Sequence, residues 1–221
     1  MNTPLDPLET RILACLVEKS MATPEYYPLT LNALTAACNQ KSNRDPVMQI
    51  SDSEALRSLN QLRDRLLASS VSMAGSRAPR YRHSLVETLL LTPPQMAILC
   101  ELMLRGPQTL GELRTRASRM VNIPDTATVQ ALLQDLASRP DGALVTMLPR
   151  QTGRREDRYG HLLSGPPVFE PKATESANHE DEDTHPPEPS RLSLLEAKVA
   201  ALEDELSRVN GKLAEFESQL K

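Results

Sequence analysis

The residues in this sequence whose types could do chemistry are few, and the densest group of them lies in the stretch CNQKSNRDPV at residues 38–47. A thiol beside basic side chains can have a lowered pKa and act as a nucleophile, so Cys38 near Lys41 and Arg44 is one candidate. The other interpretation, which we favour, is that Cys38 is the last core residue of a helix, because free cysteines are usually buried.

Other groupings that would support catalysis or metal binding are weak. We find no Ser/His/Asp spacing, no phosphate-binding glycine loop and no pair of cysteines at metal-ligand spacing. His83 and His161 each follow an Arg-Tyr-X pattern, and we interpret this repeated position as structural. The acidic segment HEDEDTH at 179–185 predicts only weak, nonspecific cation binding. We therefore predict a non-enzymatic protein with no catalytic residue, no cofactor and no metal.

Recognition of double-stranded DNA is the second kind of chemistry that the residue types suggest. Arg, Asn and Gln make paired hydrogen bonds to base edges in the major groove, while Lys and Arg hold phosphates. Residues of these types lie opposite a leucine stripe, in the polar stretch before it, and in two basic stretches further along the chain. The candidates are Lys41, Asn43, Arg44, Arg57, Asn60, Gln61, Arg65, Arg77, Arg80, Arg82, Arg154 and Arg155.

Capping signals and apolar periodicity predict the elements that position these residues. Asp6, Thr30 and a capping box that begins at Ser51 start three helices, and Thr92 starts another. Alternation on both sides of residues 74–76 predicts a β-hairpin. In the third helix, four leucines are expected to point inward: Leu56, Leu59, Leu62 and Leu66.

The order of these elements recurs in the second half of the chain. ILACL at 12–16 is echoed by ILCEL at 98–102, and RYRH at 80–83 by RYGH at 158–161. The echoes predict a duplicated domain of roughly 75–85 residues. Three helices followed by a hairpin are typical of the winged helix, in which the second and third helices form the helix-turn-helix and the hairpin is the wing.

The predicted fold class is α+β, mostly α, with two tandem winged-helix domains at residues 1–88 and 89–165. Residues 166–190 are rich in proline and acids, which predicts a disordered linker. Residues 191–221 carry a heptad pattern, which predicts a coiled-coil helix and self-association, with oligomer number and helix orientation left open. The seam consists of Leu192, Leu195, Val199, Leu202, Leu206, Val209, Leu213, Phe216 and Leu220.

Composition excludes some function classes. Aromatic residues make up 3% of the chain and Trp is absent, which argues against a base-stacking platform for single strands. No apolar run approaches the roughly 18 residues that a membrane span needs, and the N-terminus lacks the pattern of a signal peptide. Together with three widely spaced cysteines, these features predict a cytoplasmic protein without a membrane partner.

Charge is distributed unevenly along the chain. Residues 1–165 carry 19 Lys and Arg against 16 Asp and Glu, whereas residues 166–221 carry 6 against 13. A strong basic footprint for DNA is therefore missing, and Asp52, Glu54 and Asp64 neutralise part of the third helix. The alternative function is a protein-interaction scaffold, in the manner of ScpB-type tandem winged-helix proteins, with a protein partner in place of DNA.

Three long stretches identify a family resemblance. They are TPEYYPLTLNALTAACNQKSNRDPVM at 23–48, LRGPQTLGELRTRASRM at 104–120 and REDRYGHLLSG at 155–165. The chain resembles the YceH family of uncharacterised bacterial proteins over nearly its whole length. This resemblance implies a tandem winged-helix fold with a coiled-coil tail, and it implies no biochemical activity.

Overall fold

Helices dominate the part of the chain that this computed structural model describes, which is residues 4–72, 78–149 and 156–166. Two small antiparallel sheets complete the structure, so the predicted α+β, mostly α, class is confirmed. The predicted linker and coiled coil lie outside the described residues. The helices are α1 Pro7–Ala22, α2 Leu31–Cys38, α3 Asp52–Asp64, α4 Leu85–Leu89, α5 Pro93–Arg105, α6 Leu110–Ala117 and α7 Thr126–Ala137. The strands are β1 Leu29–Thr30, β2 Ala68–Val71, β3 Arg80–His83, β4 Val145–Met147 and β5 Tyr159–His161.

The helices begin where the capping residues predict. Asp6 Oδ1 accepts a hydrogen bond from the Glu9 backbone N–H at 2.7 Å, and Glu9 Oε2 accepts from the Asp6 N–H at 2.9 Å. The same reciprocal pairing starts α3 at Ser51 and α5 at Thr92. Each pairing satisfies backbone donors that the first turn of a helix otherwise leaves without partners.

The two sheets occupy matching places in the two halves of the chain. In the first half β3 pairs with β2 and also with the short β1, where Leu29 lies opposite Tyr81. In the second half β4 pairs with β5, and an isolated bridge joins Gln108 to Tyr159. The hairpin pairings are confirmed, whereas β1 and α4 were not predicted, because elements of two and five residues are too short to show periodicity.

The core is shared between the two halves through α1 and α5, which pack against each other. Residues 9–18 of α1 are buried on all sides of the helix. The Cys100 thiol of α5 donates to the Ala14 carbonyl of α1 at 3.3 Å. A helix covered all round lies at the centre of its core, so α1 joins the halves as well as completing its own.

Two of the four leucines predicted to face inward on α3 are outside the core. Leu59 and Leu62 are fully buried as predicted, but Leu56 is 37% exposed and Leu66 is 73% exposed. The prediction was wrong for Leu66 because α3 ends at Asp64 and Leu66 adopts a left-handed backbone with φ of 61°. It was wrong for Leu56 because the core contacts of this turn come from Ala55 and Leu59.

The division into domains remains a prediction. Its boundary between residues 88 and 89 falls at the end of α4, which precedes α5 by three residues. All the described residues belong to one compact unit that spans residues 1–170.

Candidate nucleic-acid interface

The outward face of α3 carries the residues predicted to read base edges. Arg57, Asn60 and Gln61 are all exposed, and no element of the described chain covers them. Asn60 Oδ1 accepts a hydrogen bond from Arg63 Nη1 at 3.0 Å, so Arg63 joins this face although it was not among the candidates. The spacing of these residues puts base-reading side chains in the middle and last turns of the helix.

The first turn of α3 is negative, as the sequence indicated. Glu54 is held by hydrogen bonds from the Ser51 backbone and hydroxyl, which lower the pKa of its carboxyl group and keep it ionised. Asp52 beside it is exposed. A phosphate would be repelled here, so anion contacts are confined to the second half of α3 and to the loops around it.

Arg44, a predicted phosphate contact, is instead a buried structural residue. Its side chain has no exposed surface, and its guanidinium makes two hydrogen bonds to the Glu18 carboxylate of α1, at 3.1 and 2.5 Å. It also donates to the Ala37 carbonyl at the end of α2 and to Gln40 Oε1. The prediction was wrong because Arg44 is held by the carboxylate of Glu18, which lies 26 residues earlier in the chain and comes close only in the folded protein.

The rest of the polar stretch at 38–47 ties the two halves together. The Asp45 backbone N–H donates to the Leu104 carbonyl of α5 at 2.9 Å, and the Asn43 side chain accepts from Arg105. Asn43 is therefore an internal contact as well as a partly exposed residue. Lys41 is exposed on the loop and remains a candidate for a phosphate.

The basic residues on the hairpin divide into two groups. Arg82 is exposed, donates to Ser69 Oγ at 3.0 Å and lies 3.4 Å from Glu87. Arg80 reaches inward to the Pro28 carbonyl at 2.9 Å, so only Arg82 of the two presents its charge outward. Arg77 lies outside the described residues.

Arg65, the last candidate of α3, turns away from the outward face. Its Nη1 lies 3.2 Å from Glu9 Oε2, and its Nη2 donates to the Pro4 carbonyl at 3.1 Å. Arg65 therefore links the end of α3 to the residues at and before the start of α1, and we no longer count it among the base-reading candidates.

The second half offers a weaker surface. The outward residues of α7 include Gln130, Gln134 and Asp135, with no cation on the helix. Arg158 is drawn to Glu112 at 3.2 Å and to the Pro107 carbonyl at 2.8 Å. The candidates Arg154 and Arg155 lie outside the described residues.

The cysteines and histidines have structural surroundings. Cys38 is fully buried, as favoured from the sequence, and its hydrogen bond with Cys15 together with burial raises the pKa of its thiol. Burial lowers the pKa of His83 to about 4. Within the described ranges, no cluster of His, Cys, Asp and Glu could hold a metal ion, and no helix is long and apolar enough to cross a membrane.

Comparison with known proteins places the chain among bacterial relatives. Residues 5–154 match the family described as "Protein of unknown function, DUF480". The chain belongs to this family. A "UPF0502 protein" of Geobacter metallireducens is 52% identical over 208 residues, which cover 93% of this chain and 90% of the relative. A UPF0502 protein of Vibrio atlanticus is 44% identical over 213 residues, which cover 95% of this chain and 96% of the relative.

The resemblance to the YceH family is confirmed, because YceH is a member of this same family. Family membership assigns no reaction or partner, so the function is argued from the geometry of the chain's own residues.

Proposed function

We propose that each half of the body is a winged helix and that the protein binds double-stranded DNA through the first half. In this proposal α2 and α3 form the helix-turn-helix and the hairpin of β2 and β3 is the wing. The observation that carries it is the exposure of Arg57 and Gln61 on the outward face of α3. A scaffold that used this face within the chain would have it covered by the second half, whereas the second half packs on α1.

The geometry of α3 suits the major groove. The helix has 13 residues, and its outward side chains can form bidentate contacts, Arg57 with guanine and Gln61 with adenine. Lys41 in the loop before the helix and Arg82 on β3 are both exposed and would contact phosphates. Arg44, Arg65 and Arg80 are removed from the interface because their guanidiniums bind groups of the protein itself. Contacts from Arg77, Arg154 and Arg155 remain predictions from the sequence.

The test is fluorescence anisotropy of labelled duplex DNA with the full chain, at about 50 and 200 mM salt. We expect affinity to fall steeply between these salt concentrations. Arg57→Ala with Gln61→Ala should weaken binding by about 1–3 kcal/mol per base contact. Lys41→Ala should weaken binding to all sequences alike and lower the salt slope by about one.

Arg114→Ala is the matched control, because it removes one exposed arginine from the second half. Its effect on DNA affinity should be small beside that of Arg57→Ala. The proposal is refuted if no duplex binds at the lower salt concentration, or if the control and the α3 variants weaken binding equally.

A protein partner at the same face is the second candidate function, and one observation favours it. Leu56 lies next to Arg57 at the edge of the outward face of α3 and is 37% exposed, and Val47 in the loop before α3 is 57% exposed. Exposed apolar residues beside polar ones are typical of protein interfaces. Failure of DNA binding with a folded protein would move this candidate to first place.

Self-association through residues 191–221 is a separate proposal that rests on the heptad pattern. Light scattering of the full chain at micromolar concentration should give a mass above 24.5 kDa. Truncation after residue 190 should return the mass of a monomer. Self-association through this segment would be rejected if the full chain were monomeric, or if the truncated chain kept the same number of chains per particle.

A further inference from the structure

An open cleft of about 630 Å³ lies at the junction of the two halves, next to the end of α3. Its lining combines the end of α3 and α4 from the first half with the turn between α7 and β4 and the end of β5 from the second. Small-molecule sites fall in the range of about 300–1,000 Å³ and often lie where two domains meet. The size and place of the cleft therefore fit a small ligand.

Two arginines at equivalent positions in the repeat line this cleft. Arg65 directly follows α3, and Arg139 follows α7 by two residues, at the position that aligns with Arg65 when the two third helices are superposed in sequence. Each donates to a backbone carbonyl that lies shortly before the first helix of its own half. Arg65 Nη2 donates to the Pro4 carbonyl at 3.1 Å, and Arg139 Nη2 donates to the Leu89 carbonyl at 2.6 Å. The duplication thus brings two anchored guanidiniums to one cleft.

One of the two arginines in the cleft has its charge balanced by a carboxylate of the described residues, and the other does not. Arg65 is paired with Glu9 at 3.2 Å. Among the described residues, no carboxylate lies within ion-pair distance of Arg139. A guanidinium has five N–H donors, and the Leu89 carbonyl engages Arg139 through only one of its nitrogens. Asp141 also lines the cleft but is exposed, and its negative charge would oppose a second negative charge on a ligand.

The remaining lining is mostly apolar. Leu144 and Leu163 are buried, while Leu89 and Leu162 are partly buried beside the arginines. An apolar wall with a few convergent polar groups is typical of a site that holds a ligand by its body and orients it by its head group. Arg matches a carboxylate particularly well, because its planar fork can donate two parallel hydrogen bonds.

We infer that this cleft binds a small organic monocarboxylate with an apolar body. Arg139 donates to the carboxylate, Arg65 lines the same cleft as part of an ion pair with Glu9, and the leucines contact the body. This site is distinct from the proposed DNA contacts, since Lys41, Arg57, Gln61 and Arg82 are not among the residues that line the cleft.

The experiment is isothermal titration calorimetry of the full chain with 4-phenylbutyrate, and with 4-phenylbutan-1-ol as the uncharged counterpart. We expect the carboxylate to bind about tenfold more tightly than the alcohol, as the loss of a charge-assisted hydrogen bond implies. Arg139→Gln should weaken carboxylate binding by a similar factor and leave alcohol binding unchanged. Arg114→Gln, the matched control outside the cleft, should change neither affinity.

Asp141→Asn keeps the test decisive if Arg139→Gln perturbs folding. Asp141 is exposed, so its replacement should leave the fold intact, and loss of its negative charge should strengthen carboxylate binding about twofold or more. Three results would overturn the inference. The first is no heat of binding at about 10 mM carboxylate, a concentration that would detect even millimolar affinity. The others are equal affinity for the acid and the alcohol, and a carboxylate affinity that neither cleft variant changes. A change in DNA binding is not needed for any of these outcomes.

Discussion

The buried ion pair between Arg44 and Glu18 gives the sharpest prediction, because it joins the polar stretch at 38–47 to the central helix α1. Arg44 has no exposed side-chain surface and Glu18 only 11%. Arg44→Met removes the guanidinium but keeps an unbranched, apolar side chain that can fill its volume. It leaves the Glu18 carboxylate with only Lys19, at 3.5 Å, and deprives the Ala37 carbonyl of a donor.

Removal of one partner from a buried ion pair costs about 3–5 kcal/mol. We therefore expect Arg44→Met to lower the free energy of unfolding by about 4 kcal/mol, which corresponds to about 8–16 °C in Tm for a body of this size. The double variant Arg44→Met with Glu18→Leu removes both charges. It should be more stable than Arg44→Met alone, because the uncompensated buried charge has gone.

Urea unfolding followed by circular dichroism, with thermal melts beside it, measures these differences. Lys41→Met is the control, because Lys41 lies in the same loop but is exposed, and its effect should stay within about 0.5 kcal/mol. A loss below about 1 kcal/mol for Arg44→Met would refute the structural role of the pair, since so small a cost is typical of an exposed ion pair. A double variant less stable than Arg44→Met would also contradict the reasoning.

The ion pair between Arg44 and Glu18 also predicts how the stability of the protein depends on pH. Burial raises the pKa of Glu18, but the hydrogen bonds and charge of Arg44 outweigh burial, and the net pKa lies below the usual value of 4.5. The pair therefore stabilises the fold above the unfolded-state pKa, and this stability is lost as the pH falls through the lower folded-state pKa. Without Arg44, burial should raise the pKa of Glu18 above its unfolded-state value, so the stability deficit of Arg44→Met relative to the parent chain should shrink as the pH falls through that pKa.

Three further predictions concern other residues. The pKa of His83 is lowered from 6.5 to about 4, so the unfolded chain takes up this proton at a higher pH than the folded protein, and the free energy of unfolding falls from about pH 6.5 towards pH 4. In urea titrations, His83→Gln should reduce the loss of unfolding free energy between pH 7 and pH 5 by about 2 kcal/mol. An unchanged loss would contradict the buried neutral imidazole. Burial should protect Cys15, Cys38 and Cys100 from a thiol reagent in the native protein but not in urea, and fast native labelling would disprove their burial. Gly106 has a φ of 72°, a backbone conformation that favours glycine. Gly106→Ala should therefore lower the free energy of unfolding by about 1 kcal/mol in thermal melts, whereas Gly111→Ala inside α6 should not lower it. Equal effects of the two variants would refute the backbone argument.

Local signals in the sequence predicted the helix starts and the hairpin pairings. Capping boxes at Ser51 and Thr92 act over three residues, so their chemistry is complete within the sequence itself. β1 was missed because its two residues become a strand only through pairing with Tyr81 and Arg80, which lie 52 and 50 positions further along the chain. The same limit applies to Leu66, since its place depends on where α3 stops and not on the period of the leucines.

The candidate site was predicted in part. Exposure of Arg57 and Gln61 agrees with their position opposite the buried Leu59 and Leu62, because one helical period sets both faces. The period says nothing about the partners of residues in loops or at helix ends. Arg44 was placed on the surface from its polar neighbours, yet it lies in the interior against Glu18.

By itself, the sequence determined the local elements, their repetition, the outward face of α3 and the family, because each of these follows from residues near one another in the chain or from long matching stretches. Tertiary structure alone decided which arginines remain available to a partner and how the halves meet. Glu18 draws Arg44 inward, and the fold brings Arg65 and Arg139 to one cleft across 74 positions of sequence. Hydrogen bonds and charges act through space over a few ångströms, so these contacts exist only once the chain has folded.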